Sequence, residues 1–331
     1  MKNKLIATIV AFGLVGSTSA IEINDNLSVN GFIDASYQEA EASVAGASAK
    51  AAKEGLDEIE LNFLLNVGSV SGELHLDTAP SSSNDIGIEQ AHFTYSLENG
   101  VSIKFGRYGS ELGFEREDPS GRFAQTRAHD LISQASTLAG GPILGITLPN
   151  YDLGDIDGGN VYEGVTISYN LEDFSVSASF HEDVGANLET EDIDIELSFS
   201  YTGIENAVIG GGYRFDNKDD GATTQMDVLN IHASYTLDKL LVAAEFTSIE
   251  NSALMGEDAY LLLANYEVSD KLGITLRYSE SEITNSIDVE KITIAPSYQI
   301  TESLGAILEY SDYEISTLDA DLLALELTYN F

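Results

Sequence analysis

The segment DIDIELSFSY (192–201) decides the fold class, because polar and apolar residues alternate in it at every step. The same alternation recurs in FSVSASFH (174–181) and in LGITLRYS (272–279). A period of two residues is that of a β-strand whose two faces meet different surroundings. Sixteen segments carry it, and most have 9 to 12 residues, the length of a strand that crosses a bilayer at a tilt. The predicted strands are 27–38, 57–67, 70–78, 87–97, 101–108, 161–169, 173–182, 191–202, 207–216, 226–236, 240–250, 258–267, 272–281, 288–299, 303–314 and 321–331.

The connections between these segments alternate in length. Short, turn-rich links such as Gly68-Ser69 are followed by longer links rich in acidic and small residues, among them 39–56 and 109–160. Short periplasmic turns at one end and long external loops at the other are typical of an up-and-down antiparallel barrel in an outer membrane. The sequence therefore predicts an all-β transmembrane β-barrel of about 16 strands over residues 21–331. An extra hairpin within 109–160 would raise the number to 18.

The strands that run toward the short turns share an aromatic residue near their ends. Each of seven such strands carries a tyrosine on its apolar face, close to the turn. A membrane–water interface favours this amphipathic ring, because the ring contacts acyl chains while the hydroxyl stays wet. We therefore predict an aromatic girdle formed by Tyr95, Tyr169, Tyr201, Tyr235, Tyr266, Tyr298 and Tyr329.

The composition excludes several classes of protein. Asp and Glu number 55 against 15 Lys and Arg, which gives a formal net charge of −40. A nucleic-acid-binding protein is excluded, because affinity for phosphate requires clustered Lys and Arg. The chain contains no Cys, which excludes disulfides and thiolate metal sites. No histidine has a second histidine at metal-ligand spacing, and no nucleophile lies in a known catalytic motif. The sequence thus predicts no metal site, no cofactor and no enzymatic activity, and it leaves open whether the acidic loops bind divalent cations.

The first twenty residues have the pattern of an export signal. Lys2 and Lys4 precede a short apolar stretch, and Thr18-Ser19-Ala20 provides small residues for cleavage after Ala20. The apolar stretch spans 5–16, which is too short to cross a bilayer that requires about 20 residues. The expected mature chain is therefore an exported protein that begins at Ile21.

The segment 109–160 is long for a connection and contains the apolar stretch LISQASTLAGGPILGITLP (131–149). Such loops are uncommon unless they are functional, and an apolar loop must pack on something. We expect this third external loop to fold into the lumen and to narrow it. The candidate pore-lining or constriction residues, taken from this loop and from the polar faces of the strands, are Lys104, Arg107, Arg116, Arg122, Arg127, Arg214, Arg277, Lys291, Glu58, Glu60, Glu73, Asp194, Glu196 and Glu245. Carboxylates exceed bases on the polar faces, which favours cations in the channel.

Two motifs resemble known families. The last strand, LLALELTYNF (322–331), places Leu327, Tyr329 and Phe331 on one face, which resembles the C-terminal assembly signature of Gram-negative outer-membrane proteins. The stretch 89–119, with Gly106-Arg107-Tyr108 and Leu112-Gly113-Phe114-Glu115, is similar to the OmpL-like family of Gram-negative outer-membrane β-barrel porins.

The resemblance implies an outer-membrane porin that forms a water-filled channel for passive diffusion of small hydrophilic solutes and ions. Its expected partners are outer-membrane lipids and lipopolysaccharide, the barrel-assembly machinery and the diffusing solutes, and a homotrimer is left open. A substrate-specific channel or binding barrel is the main alternative, and an outer-membrane enzyme is a less favoured one.

Overall fold

A computed structural model describes residues 20–79, 85–116, 119–129, 161–183, 193–217, 226–251, 257–283, 287–315 and 318–331. The predicted signal sequence lies outside these residues, apart from Ala20. None of the helical structure in the described residues has the length and apolar character needed to cross a bilayer. The strands are β1 (Ile21–Asn24), β2 (Leu27–Val44), β3 (Ala47–Val67), β4 (Val70–Thr78), β5 (Gly87–Ser96), β6 (Val101–Gly109), β7 (Val161–Asn170), β8 (Phe174–Asp183), β9 (Asp194–Tyr201), β10 (Ala207–Phe215), β11 (Met226–Leu237), β12 (Leu240–Asn251), β13 (Glu257–Ser269), β14 (Leu272–Ile283), β15 (Ile287–Gln299), β16 (Leu304–Ile315) and β17 (Leu318–Asn330), and one 3-10 turn spans Pro119–Gly121.

Sixteen of these strands, β2 to β17, form a closed antiparallel barrel. Each strand pairs with its sequence neighbours, and β17 pairs back with β2 from Asp319–Ser43 to Asn330–Phe32. Closure satisfies the backbone groups of every strand, which is the condition for a sheet to cross hydrocarbon. The predicted up-and-down transmembrane barrel is thus confirmed. The alternative with 18 strands is wrong, because β6 pairs directly with β7 along the whole of 101–109.

The short strand β1 is an addition to the predicted set. It pairs with the start of β2 from Ile21–Val29, at the end of the barrel where β17 stops. There Gly31 and Phe331 exchange two backbone hydrogen bonds of 3.1 Å. β1 therefore pairs with β2 just beyond the point where the pairing of β2 with the C-terminal strand ends. A strand of four residues is too short for its alternation to stand out in the sequence.

The segment 39–56, expected as an external loop, forms strand instead. β2 and β3 pair to their ends and are joined by Ala45-Gly46, whose φ angles are 50° and 86°. Two successive residues with positive φ make the turn type whose twist matches a β-hairpin. Repeated Ala weakens the polar–apolar contrast here, so that the period of two is hard to detect in the sequence.

Burial alternates along the strands and separates an outward from an inward face. In β17, Leu323, Leu325 and Leu327 are exposed, whereas Ala324 and Glu326 are buried. The outward face contacts lipid in a membrane, so its exposed apolar side chains are the expected ones for a barrel of this kind. The seven predicted girdle tyrosines all lie on the outward face near the short turns, with exposures from 37% (Tyr201) to 49% (Tyr266 and Tyr298).

Candidate pore wall and constriction

Residues 110–116 and 119–129, here called the inward segment, lie inside the barrel. The backbone N–H of Gly113 donates to Asn230 Oδ1 (3.2 Å) of β11, and that of Phe114 to Glu245 Oε1 (2.7 Å) of β12. The N–H of Thr126 donates to Glu309 Oε2 (2.9 Å) of β16. These acceptors lie on the inward face, so this part of the segment runs along the inner wall from β11 to β16. The rest of the predicted loop, including 131–149, lies outside the described residues.

The inward segment covers apolar side chains on the inner wall. Phe123 and Ala128 pack against Ala243, Leu261 and Leu263, which lie on the inward faces of β12 and β13. If these side chains faced water instead, the fold would lose about 25 cal/mol of stabilising free energy for each Å² of apolar surface that the contact buries. The segment and this part of the wall therefore stabilise each other.

A buried ion pair fixes the segment to β14. Arg277 Nη1 donates to both carboxylate oxygens of Glu115 at 2.9 Å, and the side chains are 0% and 2% exposed. Arg277 also donates to Thr126 Oγ1 (3.1 Å), and the N–H of Ala128 donates to Glu115 (2.7 Å). From β15, Lys291 donates to the carbonyl of Arg127 (3.0 Å). Arg277 and Lys291, predicted as pore-lining bases, thus bind the segment on this wall.

The other predicted charges of β9 and β10 also have defined partners. Glu196 accepts from Ser110 Oγ (2.7 Å) and from the N–H of Glu111 (2.9 Å), which holds the start of the inward segment. Asp194 accepts from the N–H of Asn217 (3.0 Å), and Arg214 donates to the hydroxyl of Tyr162. In the segment itself, Arg122 interacts electrostatically with Asp34 and Glu326 on β2 and β17.

The contacts of the inward segment just described do not involve the wall formed by β3 to β6. That wall carries mostly acidic groups. Its inward carboxylates are Glu58, Glu60, Glu73, Asp77 and Glu89, and its inward strong base is Lys104. Lys104 is 3.3 Å from Glu111 of the inward segment, and Arg116 is also 3.3 Å from Glu111. Burial opposes the ionisation of Glu111, but these two cations outweigh it and hold the pKa of its carboxyl below the usual value. Glu111 therefore stays negative and neutralises part of the basic charge.

Arg107, predicted at the constriction, lies on the outward face and is corrected here. Lys104 and Tyr108 point inward from β6, so the alternation directs Arg107 outward together with Phe105. Its guanidinium pairs with Glu163 (2.7 Å), the residue directly opposite on β7. The sequence analysis placed Arg107 near the end of the predicted strand 101–108 but grouped it with the arginines of the adjoining loop, without regard to its outward position in the alternation.

The sequence prediction missed Glu89, which a β-bulge brings to the inner wall. His75 of β4 is opposite Gln90 and Leu76 is opposite Ile88, which leaves Glu89 as the extra residue of β5. A bulge redirects the side chain it contains, and Glu89 Oε2 lies 3.8 Å from His75 Nδ1. The signal in the sequence is the pair of consecutive polar residues Glu89-Gln90, where alternation requires only one.

Solved outer-membrane structures share this fold. The outer-membrane channel DcaP of Acinetobacter baumannii has a TM-score of 0.64 at 12% identity, with 95% of this chain and 100% of that chain covered. The anion-selective porin from Comamonas acidovorans has a TM-score of 0.63 at 13% identity, with 92% and 99% covered. The trimer form of OmpT, an outer-membrane protein of Vibrio cholerae, has a TM-score of 0.56 at 14% identity, with 93% and 100% covered. Identities this low establish the fold alone.

The sequence itself matches a family model. No curated protein matches the chain in sequence. The model of the Gram-negative porins matches residues 7–318, which is nearly the whole chain and includes the inward segment and all but the last strand. The structural neighbours agree with this match, because they are outer-membrane barrels of the same architecture. The chain belongs to the Gram-negative porin family and is an outer-membrane β-barrel.

Proposed function

We propose that this porin is a cation-preferring diffusion channel, and not an enzyme, whose ion path follows the wall of β3 to β6. The supporting observation is the acidic character of that wall, whose inward faces carry five carboxylates and one strong base, Lys104. A pore wall of one sign concentrates counter-ions, and low-dielectric surroundings strengthen its field.

The covered side of the lumen contributes less to this field. Arg277 is paired with Glu115 at 2.9 Å, so the two charges cancel over distances longer than their separation. The fields of charges further from the ion path are screened over about 8 Å at physiological ionic strength. The carboxylates beside the ion path therefore dominate the local potential.

The shared fold leaves the sign of selectivity open. The Comamonas acidovorans porin is anion-selective and has the same fold at 13% identity. The inward side chains must then decide which ions a barrel of this shape prefers. In this chain, those of β3 to β6 favour cations.

Reversal potentials across a planar bilayer in a KCl gradient test the proposal, with EDTA present to keep divalent cations out. The wild-type protein is expected to show stepwise openings and a reversal potential of the sign for cation preference. The double variant Glu58→Gln/Asp77→Asn is expected to move the permeability ratio toward one. Glu290→Gln, which removes one carboxylate from the exposed outward face, is the control and should leave the ratio unchanged. Anion preference of the wild-type protein, or an electrically silent barrel, would overturn the proposal.

A sugar-specific channel is less well supported. Such a channel needs aromatic faces that a solute can reach, and Tyr108 lies opposite Tyr162 on the inner wall. Their exposed fractions are only 2% and 3%, so neither ring presents a free face. This burial favours the diffusion channel over the substrate-specific alternative.

The proposed partners follow from the setting of the barrel. The outward apolar face would contact outer-membrane lipid and lipopolysaccharide, and the C-terminal Leu327, Tyr329 and Phe331 would engage the barrel-assembly machinery. A homotrimer is consistent with the trimer form of OmpT from Vibrio cholerae, which has the same fold. Chemical cross-linking of the protein in outer-membrane vesicles tests this: a ladder that stops at three chains supports the trimer, and a single-chain band contradicts it.

A further inference from the structure

Three side chains from adjacent strands converge on the inner wall. Glu60 of β3, His75 of β4 and Glu89 of β5 each offer one ligand atom, and these atoms lie within 4.8 Å of one another. His75 Nδ1 is 3.4 Å from Glu60 Oε1 and 3.8 Å from Glu89 Oε2. The bulge in β5 creates this cluster, because regular alternation would direct Glu89 to the lipid face.

The buried carboxylate of Glu60 has His75 Nδ1 as a neighbour at 3.4 Å but accepts no hydrogen bond of regular geometry in the described residues. Its side chain is 0% exposed, and neither oxygen accepts a hydrogen bond from any residue that the structure describes. His75 Nδ1, which is directed at Glu60, likewise makes no hydrogen bond within the described part of the chain. A buried carboxylate in this state is unfavourable unless a cation compensates it.

The opposite nitrogen of His75 is already engaged. His75 Nε2 lies 3.2 Å from Glu73 Oε2, a carboxylate oxygen that accepts a hydrogen bond from the N–H of that nitrogen. This contact places a hydrogen on Nε2, and in the neutral imidazole the lone pair of Nδ1 is then directed at the cluster. Metal-ligating histidines have this arrangement, in which a carboxylate fixes the tautomer and the ring orientation.

We propose that Glu60, His75 and Glu89 bind a divalent transition-metal ion, with Zn²⁺ as the best fit. One imidazole and two carboxylates are zinc donors, and a water from the lumen would complete a four-coordinate site. Ligands at about 2.05 Å in a tetrahedron are about 3.3 Å apart, close to the separations from Nδ1 of 3.4 and 3.8 Å. Ca²⁺ and Mg²⁺ fit less well, because they require more oxygen ligands.

The bound ion would change the charge of the proposed ion path. Two carboxylates and one neutral imidazole carry a charge of −2, which Zn²⁺ cancels. The binding itself does not depend on ion selectivity and is measured in detergent solution, so the two proposals can fail separately.

Titration of the metal-free, refolded protein with Zn²⁺ alone tests the site. Isothermal titration is expected to give one site per chain with an affinity well above that of scattered surface carboxylates, and Zn²⁺ is expected to raise the Tm. Co²⁺ in place of Zn²⁺ is expected to produce the visible absorption of a four-coordinate N/O site.

Variants of the ligands and of their support should lose binding to different extents. Glu60→Gln, His75→Gln and Glu89→Gln are each expected to weaken Zn²⁺ binding by at least a hundredfold. Glu73→Gln removes only the partner of Nε2 and is expected to weaken it by about 10- to 100-fold. Glu326→Gln and His181→Gln change the same residue types at buried inward positions elsewhere and should bind as the wild type does.

Folding of each variant is checked by its migration on unheated gels. If Glu60→Gln fails to fold, Glu89→Gln still decides, because the side chain of Glu89 is only half-buried. Absence of Zn²⁺ binding by the wild type would overturn the proposal and point to a protonated His75 that bridges Glu60 and Glu73. Ligand variants that bind Zn²⁺ as the wild type does would overturn it as well.

Discussion

The ion pair between Glu115 and Arg277 should hold the inward segment in the lumen. Glu115→Gln removes the charge and leaves the guanidinium of Arg277 buried at 0% exposure. Loss of one partner of a buried pair costs about 3–5 kcal/mol. Because Glu309 also interacts electrostatically with Arg277, the lower end applies, about 3 kcal/mol. Since 1.4 kcal/mol is a factor of ten, the population of the undocked segment should rise by roughly a hundredfold.

Trypsin measures that population. Within 109–160 the only Lys or Arg residues are Arg116, Arg122 and Arg127, and all three belong to the inward segment. A protease cannot follow the segment into the lumen, so cleavage at these sites requires undocking. When opening is fast relative to cleavage, the rate follows the open population. Mass spectrometry of the fragments separates these cuts from those elsewhere, and the expected rate for Glu115→Gln is about a hundred times that of the wild type.

A second substitution distinguishes the ion pair from general damage. Glu115→Gln/Arg277→Met removes both charges, and replacement of both partners of a buried pair is far less costly than loss of one. The double variant should recover most of the resistance to trypsin. Glu163→Gln, whose carboxylate is 51% exposed on the outward face, is the control and should be cut at the wild-type rate. A Glu115→Gln rate within threefold of wild type, or a double variant cut as fast as the single one, would refute the reasoning.

Two further predictions concern the lipid face and the closure of the barrel. Leu276→Arg, at an outward position that is 53% exposed, should lower the free energy of unfolding in lipid by about 2–4 kcal/mol, whereas Ser168→Arg, at a half-buried inward position, should cost much less; equal costs would show that the faces are assigned wrongly. Gly31→Ala should lower stability by about 1–3 kcal/mol, because its Cβ would lie 2.2 Å from a backbone oxygen of β3 and 2.9 Å from the ring of Phe331. Gly72→Ala, whose Cβ would make only ordinary contacts from 3.5 Å, is the control, and equal unfolding midpoints in urea for the two variants would contradict the steric argument.

The barrel was predictable because its physics is local. Outward residues contact lipid and inward residues contact water or polar groups, so each strand shows a period of two residues in its sequence. The predicted bounds therefore agree closely with β4 (Val70–Thr78) and β6 (Val101–Gly109). The pattern failed where that contrast is weak. Near the turn of the hairpin of β2 and β3, the side chains are exposed or small on both faces. Repeated Ala and Lys residues interrupt the alternation of polar and apolar residues there.

The contacts of the candidate site were not predictable in the same way. Glu115 and Arg277 are 162 residues apart, and no local pattern relates two such positions. The cluster of Glu60, His75 and Glu89 depends on the register of three strands and on one bulge. A search for ligands at fixed spacing along the chain cannot find such a site, because the spacing that matters runs across the sheet.

One departure from alternation does carry information about the lumen. In β13, Leu261, Leu262 and Leu263 are consecutive, so this strand is apolar on both faces. Lipid explains Leu262, which is 58% exposed, but water on the other side would not tolerate Leu261 and Leu263. Those two side chains are 0% and 3% exposed, because Phe123 and Ala128 of the inward segment cover them. A strand that is apolar on both faces therefore marks where the segment docks. Strands with intact alternation and charged inward residues, such as β4 with Glu73 and His75, form the wall that we propose as the ion path.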